Sequence, residues 1–330
     1  MSIFWAILLL VGGLAILWKC AQLLVSGAVA VAQRLGISPL VIGLTVVAMG
    51  TSAPEVAASI AAAVRGAGDV AVGNVYGSNI ANLALVGGFI ALLRPVRLQA
   101  RTVRYEIPAM IMVALLLYPL LAGLTLSRSE GVFLLSVFTG LIGLTVYLAR
   151  REAKLKSSAA ASTLASMPPG STGAQSFTAS TGMYSLFILI GFAGLAIGAD
   201  LTIRGAVTIG KAVGLSQAVI GLTVIAVGTS LPELVTCIAA SLKKADDISV
   251  GNLVGSNIFN TLLVLGTAGI ACPFEITARL AGTDYWIMVG ISAGFALLAV
   301  LGRKKIGRVS GALLLFAYIS YISYLLVCRR

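Results

Sequence analysis

Apolar residues run in long blocks along the chain, among them Ile3–Leu17, Ile107–Leu126, Val132–Leu148, Met183–Ala199 and Trp286–Leu301. Almost uncharged stretches of about 20 residues match the thickness of a bilayer core. The pattern predicts an all-α membrane protein with ten transmembrane helices, at roughly 3–32, 38–64, 70–93, 105–122, 130–149, 183–203, 216–242, 248–270, 284–301 and 308–327. Residues 3–17 could be the apolar core of a signal peptide. No basic segment precedes them and no cleavage pattern interrupts the hydrophobic run, so they are read as the first span. The longest interruption, 150–182, is basic and then rich in Ser, Ala, Gly and Thr, with Pro168-Pro169, which predicts a flexible linker. It separates residues 1–149 from 183–330, with five spans on each side.

The two sides repeat. Ile37–Asn82 aligns without a gap on Leu215–Asn260 at an offset of 178 residues, and 26 of the 46 positions are identical. Gly50-Thr51-Ser52-Ala53-Pro54-Glu55 returns as Gly228-Thr229-Ser230-Leu231-Pro232-Glu233. A period this long does not suit a solenoid of short units. Five spans is an odd number, so the second copy must enter the membrane from the opposite side. Inverted repeats of this kind are a plan of secondary transporters, with the substrate site at the midplane between them.

Charge supports the same layout. Only 10% of residues are charged, against about 25% in soluble domains. The net charge of +12 sits between hydrophobic blocks, without the aromatic interleaving or single basic domain of a nucleic-acid binder. Fifteen Lys and Arg (at 34, 94, 97, 101, 104, 150, 151, 154, 156, 243, 244, 303, 304, 305 and 308) fall in one set of loops and six (at 65, 128, 211, 279, 329 and 330) in the other. Positive residues favour the cytoplasm. The linker is therefore expected inside the cell and both termini outside. The four cysteines are scattered and histidine is absent, which argues against disulfide frameworks and Cys/His metal sites.

Glu55 and Glu233 fall in the middle of apolar spans, where a carboxylate costs roughly 2.5–3.5 kcal/mol or more. One explanation is local. Ser52 to Glu55 and Ser230 to Glu233 both fit the S-x-x-E capping box. That explains a helix start but not why a helix should start inside a membrane. Pro54 and Pro232 cannot donate to the carbonyls of Gly50 and Gly228, which frees backbone oxygen at membrane depth. Carbonyls, Ser and Thr hydroxyls and a carboxylate form an all-oxygen set suited to Ca²⁺ or Na⁺. Asn74, Ser78 and Asn82 line one helix face, and Asn252, Ser256 and Asn260 repeat it. The glycines of Gly73–Gly77 and Gly251–Gly255 suit close helix packing along the same segments. Asn74 and Asn252, nearer the helix ends, read equally as packing or site residues. Other polar residues carry blander expectations: Asp200 with Arg204 as an ion pair, Asp69, Asp246 and Asp247 as solvated, Glu106 as interfacial, and Lys19 as snorkelling.

The paired signatures G-[ST]-S-x-P-E and GN-x-x-GSN-I-x-N resemble those of the Ca²⁺/cation antiporter superfamily, specifically the prokaryotic sodium/calcium exchangers. The resemblance spans both halves. It implies an antiporter, not an enzyme, with no cofactor, Ca²⁺ and Na⁺ as substrates and the cell membrane as location. It makes Glu55 and Glu233 the central ligands, with Thr51, Ser52, Thr229 and Ser230 ligating by side chain or backbone. Ala48 and Ala226 would give carbonyls, and Ser78, Ser256, Asn82 and Asn260 would complete flanking sites. Some relatives carry Asp where this chain has Asn260, which points away from K⁺ dependence. The alternative is a proton-coupled exchanger of the same superfamily, using the two glutamates as proton carriers. A channel is disfavoured by the absence of an obvious oligomeric pore, and an intramembrane enzyme by the absence of His and of recognisable catalytic motifs.

Overall fold

The computed structural model describes residues 2–164, 181–213 and 226–328. The expected span 216–242 and the expected linker lie partly outside them. Helices α1 (Ile3–Leu35), α2 (Pro39–Thr51), α3 (Ala53–Val64), α4 (Gly68–Leu93), α5 (Thr102–Leu121) and α6 (Arg128–Leu164) form the first part. Helices α7 (Thr181–Ala212), α8 (Ala226–Thr229), α9 (Leu231–Leu242), α10 (Asp246–Ala271), α11 (Leu280–Leu301) and α12 (Arg308–Cys328) form the second. Among the described residues, eight helices are long and apolar enough to cross a bilayer, and the pair α2–α3, bent by 44°, passes the same test when taken together. The protein is an all-helical, multi-pass membrane protein.

Local chemistry sets the boundaries. α1 stops at Gly36, whose φ of 62° is the left-handed conformation that glycine adopts freely, and its N–H caps the Ala32 and Gln33 carbonyls. Pro39 then opens α2, where its missing N–H costs nothing. One boundary differs from expectation. α6 does not end at residue 149 but continues to Leu164, through the first half of the segment expected as linker. The residues there, Arg-Arg-Glu-Ala-Lys-Leu-Lys, are strong helix formers, and Pro168-Pro169 comes only later.

Burial separates centre from rim. In α4 and α10, 78% and 83% of the most apolar stretch is buried, against 11% in α6. α1 and α7 lie along each other in antiparallel pairing. A Cβ on Gly13 would stand 2.7 Å from the Thr202 nitrogen, and one on Gly27 would stand 2.8 Å from the Tyr184 carbonyl. The two helices occupy matching places in the 178-residue offset, so corresponding helices run in opposite directions. On α10, a Cβ at Gly251 would meet the Leu40 carbonyl at 2.7 Å and one at Gly255 the Leu44 carbonyl at 2.7 Å, so these glycines do bring α10 onto α2.

Four two-residue strands tie the halves together. β1 (Val96–Arg97) pairs antiparallel with β4 (Lys305–Ile306), and β2 (Thr125–Leu126) pairs with β3 (Phe274–Glu275). The first pair joins two loops of the strongly basic set and the second joins two of the weakly basic set. Arg94 also reaches across to the Ser241 carbonyl at 2.8 Å and to Asp246 at 3.3 Å. The structure thus collects on one face the loops that the charge count groups together.

The α1–α7 contact makes adjacent glycines unequal. Gly13→Ala forces backbone apart and should destabilise by about 1–3 kcal/mol. Gly12, beside which a Cβ would meet nothing within 4 Å, should accept alanine with no loss. The midpoint of thermal aggregation in detergent, followed by size exclusion, should fall for Gly13→Ala alone.

Candidate cation site

The α2–α3 break and the α8–α9 break share one geometry. Ser52 sits at φ −82°, ψ 2° and Ser230 at φ −88°, ψ 6°, each followed by a proline and then a glutamate in the first helical turn. The capping-box explanation fails here, because neither serine side chain accepts a helix N–H. The Ser52 and Ser230 hydroxyl oxygens and all four carboxylate oxygens of Glu55 and Glu233 are buried, with no close hydrogen-bond partner among the described residues. Both glutamates have 0% exposure. Each lies in the first turn of its helix, where the exposed N–H groups favour negative charge.

The two carboxylates are close enough to repel each other. Ser78 stands beside Glu55, while Thr51 and Ser52 stand beside Glu233, so the site is built across the halves. The Thr51 hydroxyl donates to the Asn252 side-chain oxygen at 3.1 Å and lies 3.4 Å from the Ser256 hydroxyl. Asn82 and Asn260 each lie in a π-helical turn, at Ala81–Val86 and Asn260–Val264. Such turns break the regular hydrogen-bond ladder and recur at functional sites. The first turn packs on α9, which carries Glu233, and the second packs on α3, which carries Glu55. Both amide side chains are buried, and neither nitrogen nor oxygen finds a hydrogen-bond partner among the described residues.

Not every expected ligand is equally disposed. The Ala48 carbonyl already accepts the Ser52 N–H at 3.0 Å and lies 3.3 Å from the Thr51 hydroxyl. Thr229 is only half-buried, and of Ala226 only its backbone, at the start of α8, is described. The Asn74 amide donates to the Glu55 carbonyl at 3.3 Å and the Ser59 hydroxyl at 2.9 Å. Its counterpart Asn252 donates to the Cys237 sulfur at 3.2 Å while accepting from Thr51. Asn252 therefore braces Thr51 of the opposite half, and Asn74 braces the helix that carries Glu55.

Several blander expectations need correction. Asp69, Asp246 and Asp247 are not merely solvated. Asp69 accepts the Thr277 N–H at 2.8 Å, Asp246 pairs with Arg94, and Asp247 accepts from Gln99 at 2.7 Å. All three contacts join the halves. Asp200 and Arg204 do form their ion pair, at 2.7 Å. Glu106 pairs with Arg101 at 3.0 Å, and Asp284 with Arg279 at 3.3 Å. These two pairs obey the 178-residue offset. They lie beyond Asn82 and Asn260, where the repeat continues at the same offset with lower identity.

Chemically, the arrangement is a buried set of hard oxygen donors. Among the described residues no three of His, Cys, Asp and Glu cluster, so two carboxylates supply the formal charge. A buried charge without a protein partner is compensated by a cation or is neutralised. The donors suit Ca²⁺ and Na⁺ and give a softer metal nothing to prefer.

Comparison with known proteins agrees with this chemistry. The family model described as "Sodium/calcium exchanger protein" matches residues 5–149 and 183–327. The protein CaxA of Alkalimonas amylolytica is 42% identical over 97% of this chain and 98% of its own length. The sodium/calcium exchanger MaX1 of Methanosarcina acetivorans is 31% identical over 96% of this chain and 97% of its own. Among solved structures, the sodium-calcium exchanger NCX_Mj superposes with a TM-score of 0.81 at 28% identity, covering 98% of this chain and 100% of that one. With two matched segments that together take in nearly the whole sequence, the chain belongs to the sodium/calcium exchanger protein family.

Proposed function

We propose that this cation antiporter exchanges Na⁺ for Ca²⁺ by alternating access, through ten spans arranged as two inverted five-span repeats with broken helices at a shared central site. The observation that carries the reading is the pair of fully buried glutamates whose four carboxylate oxygens have no close hydrogen-bond partner among the described residues. Glu55 and Glu233 are the central ligands, and Thr51, Ser52, Ser78, Ser230, Ser256, Asn82 and Asn260 complete the oxygen set. Thr229 and the Ala48 and Ala226 carbonyls contribute when the breaks readjust. The excess of Lys and Arg on one set of loops supports a reading with that face in the cytoplasm and both termini outside. Asn260 adds a ligand without charge, which favours independence from K⁺.

Two carboxylates can neutralise one Ca²⁺. If more than two Na⁺ replace it, the sodium-loaded site is positive and the calcium-loaded site neutral. The sodium step alone then feels the membrane potential, by about 2.3 kcal/mol per charge per 100 mV. A negative interior would drive Na⁺ inward and Ca²⁺ outward.

Glu55→Gln or Glu233→Gln keeps shape and removes charge. Breaking one partner of a buried charge interaction costs about 3–5 kcal/mol, so ⁴⁵Ca²⁺ flux into sodium-loaded proteoliposomes should fall by roughly 100-fold or more. Flux near the wild-type rate would remove the glutamates from the site. The same assay with imposed Na⁺, K⁺ or pH gradients separates sodium coupling from proton coupling, and only the Na⁺ gradient should drive uptake.

Voltage dependence is the second test. Proteoliposomes clamped with an ionophore for an ion the protein ignores should speed Ca²⁺ extrusion as the interior is made negative. Ca²⁺ flux indifferent to the clamp would mean electroneutral exchange and would overturn the charge assignment.

A further inference from the structure

Helices α3 and α9 match around their glutamates, and the match fails one turn further on. On α3, Glu55 is followed by Ala58 and Ser59, whereas on α9, Glu233 is followed by Thr236 and Cys237. The surroundings of Ser59 and Cys237 are the same. The Ser59 hydroxyl accepts from Asn74 at 2.9 Å and donates to the Ala71 carbonyl at 3.3 Å. The Cys237 sulfur accepts from Asn252 at 3.2 Å and donates to the Ser249 carbonyl at 3.5 Å. In one half alone, a thiol fills a place that a hydroxyl fills in the other. The exchange of Na⁺ and Ca²⁺ makes no use of it, because hard cations take oxygen.

Thr236 departs from the pattern as well. Helical threonines elsewhere in the chain donate to the carbonyl four residues back, as Thr45 and Thr267 do. The Thr236 hydroxyl is wholly buried and finds no hydrogen-bond partner among the described residues. Positions i, i+3 and i+4 share a helix face. Glu233, Thr236 and Cys237 therefore present a carboxylate, a hydroxyl and a thiol side by side. Ligands at i and i+4 of one helix are how zinc-binding helices grip a single ion. Cys237 lies close enough to Glu233 for a thiolate there to repel the carboxylate, and a cation between them would turn that repulsion into attraction. The sulfur also adjoins the oxygen set, since Asn252, which donates to it, accepts from Thr51.

We propose that Glu233, Thr236 and Cys237 form a site for a thiophilic divalent cation of about the size of Ca²⁺, of which Cd²⁺ is the type. The oxygen donors alone give a soft metal nothing to prefer, and the sulfur supplies that preference. On binding, the thiol releases its proton to water, and a metal–sulfur bond replaces its contact with the Ser249 carbonyl. The Asn252 N–H keeps its bond to the sulfur, which strengthens as the sulfur becomes charged. Ala58 and Ser59 offer no such ligand beside Glu55, so each chain holds a single ion in this way. Because Glu233 is shared with the proposed transport site, an ion held by the thiolate stalls exchange.

The test titrates Cd²⁺ into the full chain in detergent and follows the ultraviolet absorption of the cadmium–thiolate bond. Wild type should show the band, and Cys237→Ser should lose it, with Cys237→Ala in its place if the serine variant fails to fold. Cys20→Ser and Cys272→Ser should keep it. Glu233→Gln and Thr236→Val should each weaken Cd²⁺ binding roughly tenfold. A band that survives removal of the Cys237 sulfur, or an affinity indifferent to either of the other two substitutions, overturns the proposal. In proteoliposomes, half-inhibition of ⁴⁵Ca²⁺ flux should take roughly tenfold more Cd²⁺ for Cys237→Ser than for wild type, each against its own uninhibited rate. Equal sensitivity would mean that the sulfur plays no part in the block. Only this flux measurement rests on the proposed function. A Cys237-dependent band in a protein that exchanges no Na⁺ would sink that function and leave the metal site standing, whereas Na⁺-driven Ca²⁺ flux without the band would do the reverse.

Discussion

An ionised carboxylate deep inside a bilayer-spanning protein must be compensated, because no water is present to do it and the backbone has mostly spent its donors on helices. Glu55 and Glu233 impose that requirement twice at one place. The broken α2–α3 and α8–α9 segments bring helix N-termini, serine hydroxyls and threonine hydroxyls to the same depth. The π-helical turns of α4 and α10 bring Asn82 and Asn260 against the opposite half's glutamate helix. The close approach of Gly251 and Gly255 to α2 serves the same end, since a bulkier α10 would carry Ser256 away from Thr51.

Much of this was legible in the sequence, for identifiable reasons. Spans are legible because the bilayer demands a long uncharged run and nothing in a loop imitates one. The site is legible because a duplicated Gly-Thr-Ser-x-Pro-Glu is hard to explain by packing alone. What stayed hidden depends on distances between segments remote in the chain. Ser52 to Glu55 fits a capping box as written, and only the geometry reveals that the box is not made. Asp246 and Asp247 look solvated beside their neighbours, yet Arg94 and Gln99, about 150 residues away, engage them. The continuation of α6 beyond residue 149 is hidden by the loss of hydrophobicity there, which marks the end of the span but not of the helix, since helix propensity does not depend on the membrane.

The halves match in architecture and diverge in detail at the two faces. On the basic face, Arg94 pairs with Asp246 and Gln99 with Asp247. At the corresponding places on the other face stand Cys272 with Gly68 and Thr277 with Asp69, where a backbone N–H replaces the side-chain donor. Beyond the strand pairs, these equivalent positions are thus fastened by charged side chains on one side and by a backbone N–H on the other. Any process that exchanges the roles of the two faces must work against that difference.

The reciprocal strand pairs bear on how such a molecule could arise and mature. Each pair takes one strand from each half, Val96 with Ile306 and Leu126 with Phe274. Neither half can close its own edges, and each edge left open would expose unpaired backbone at a membrane surface. A single half is therefore an incomplete folding unit that finds its complement only in an oppositely oriented partner. In that light each half is the other's required partner within one chain. Its first half must wait, part-built and with unmated edges, until the ribosome has delivered the second.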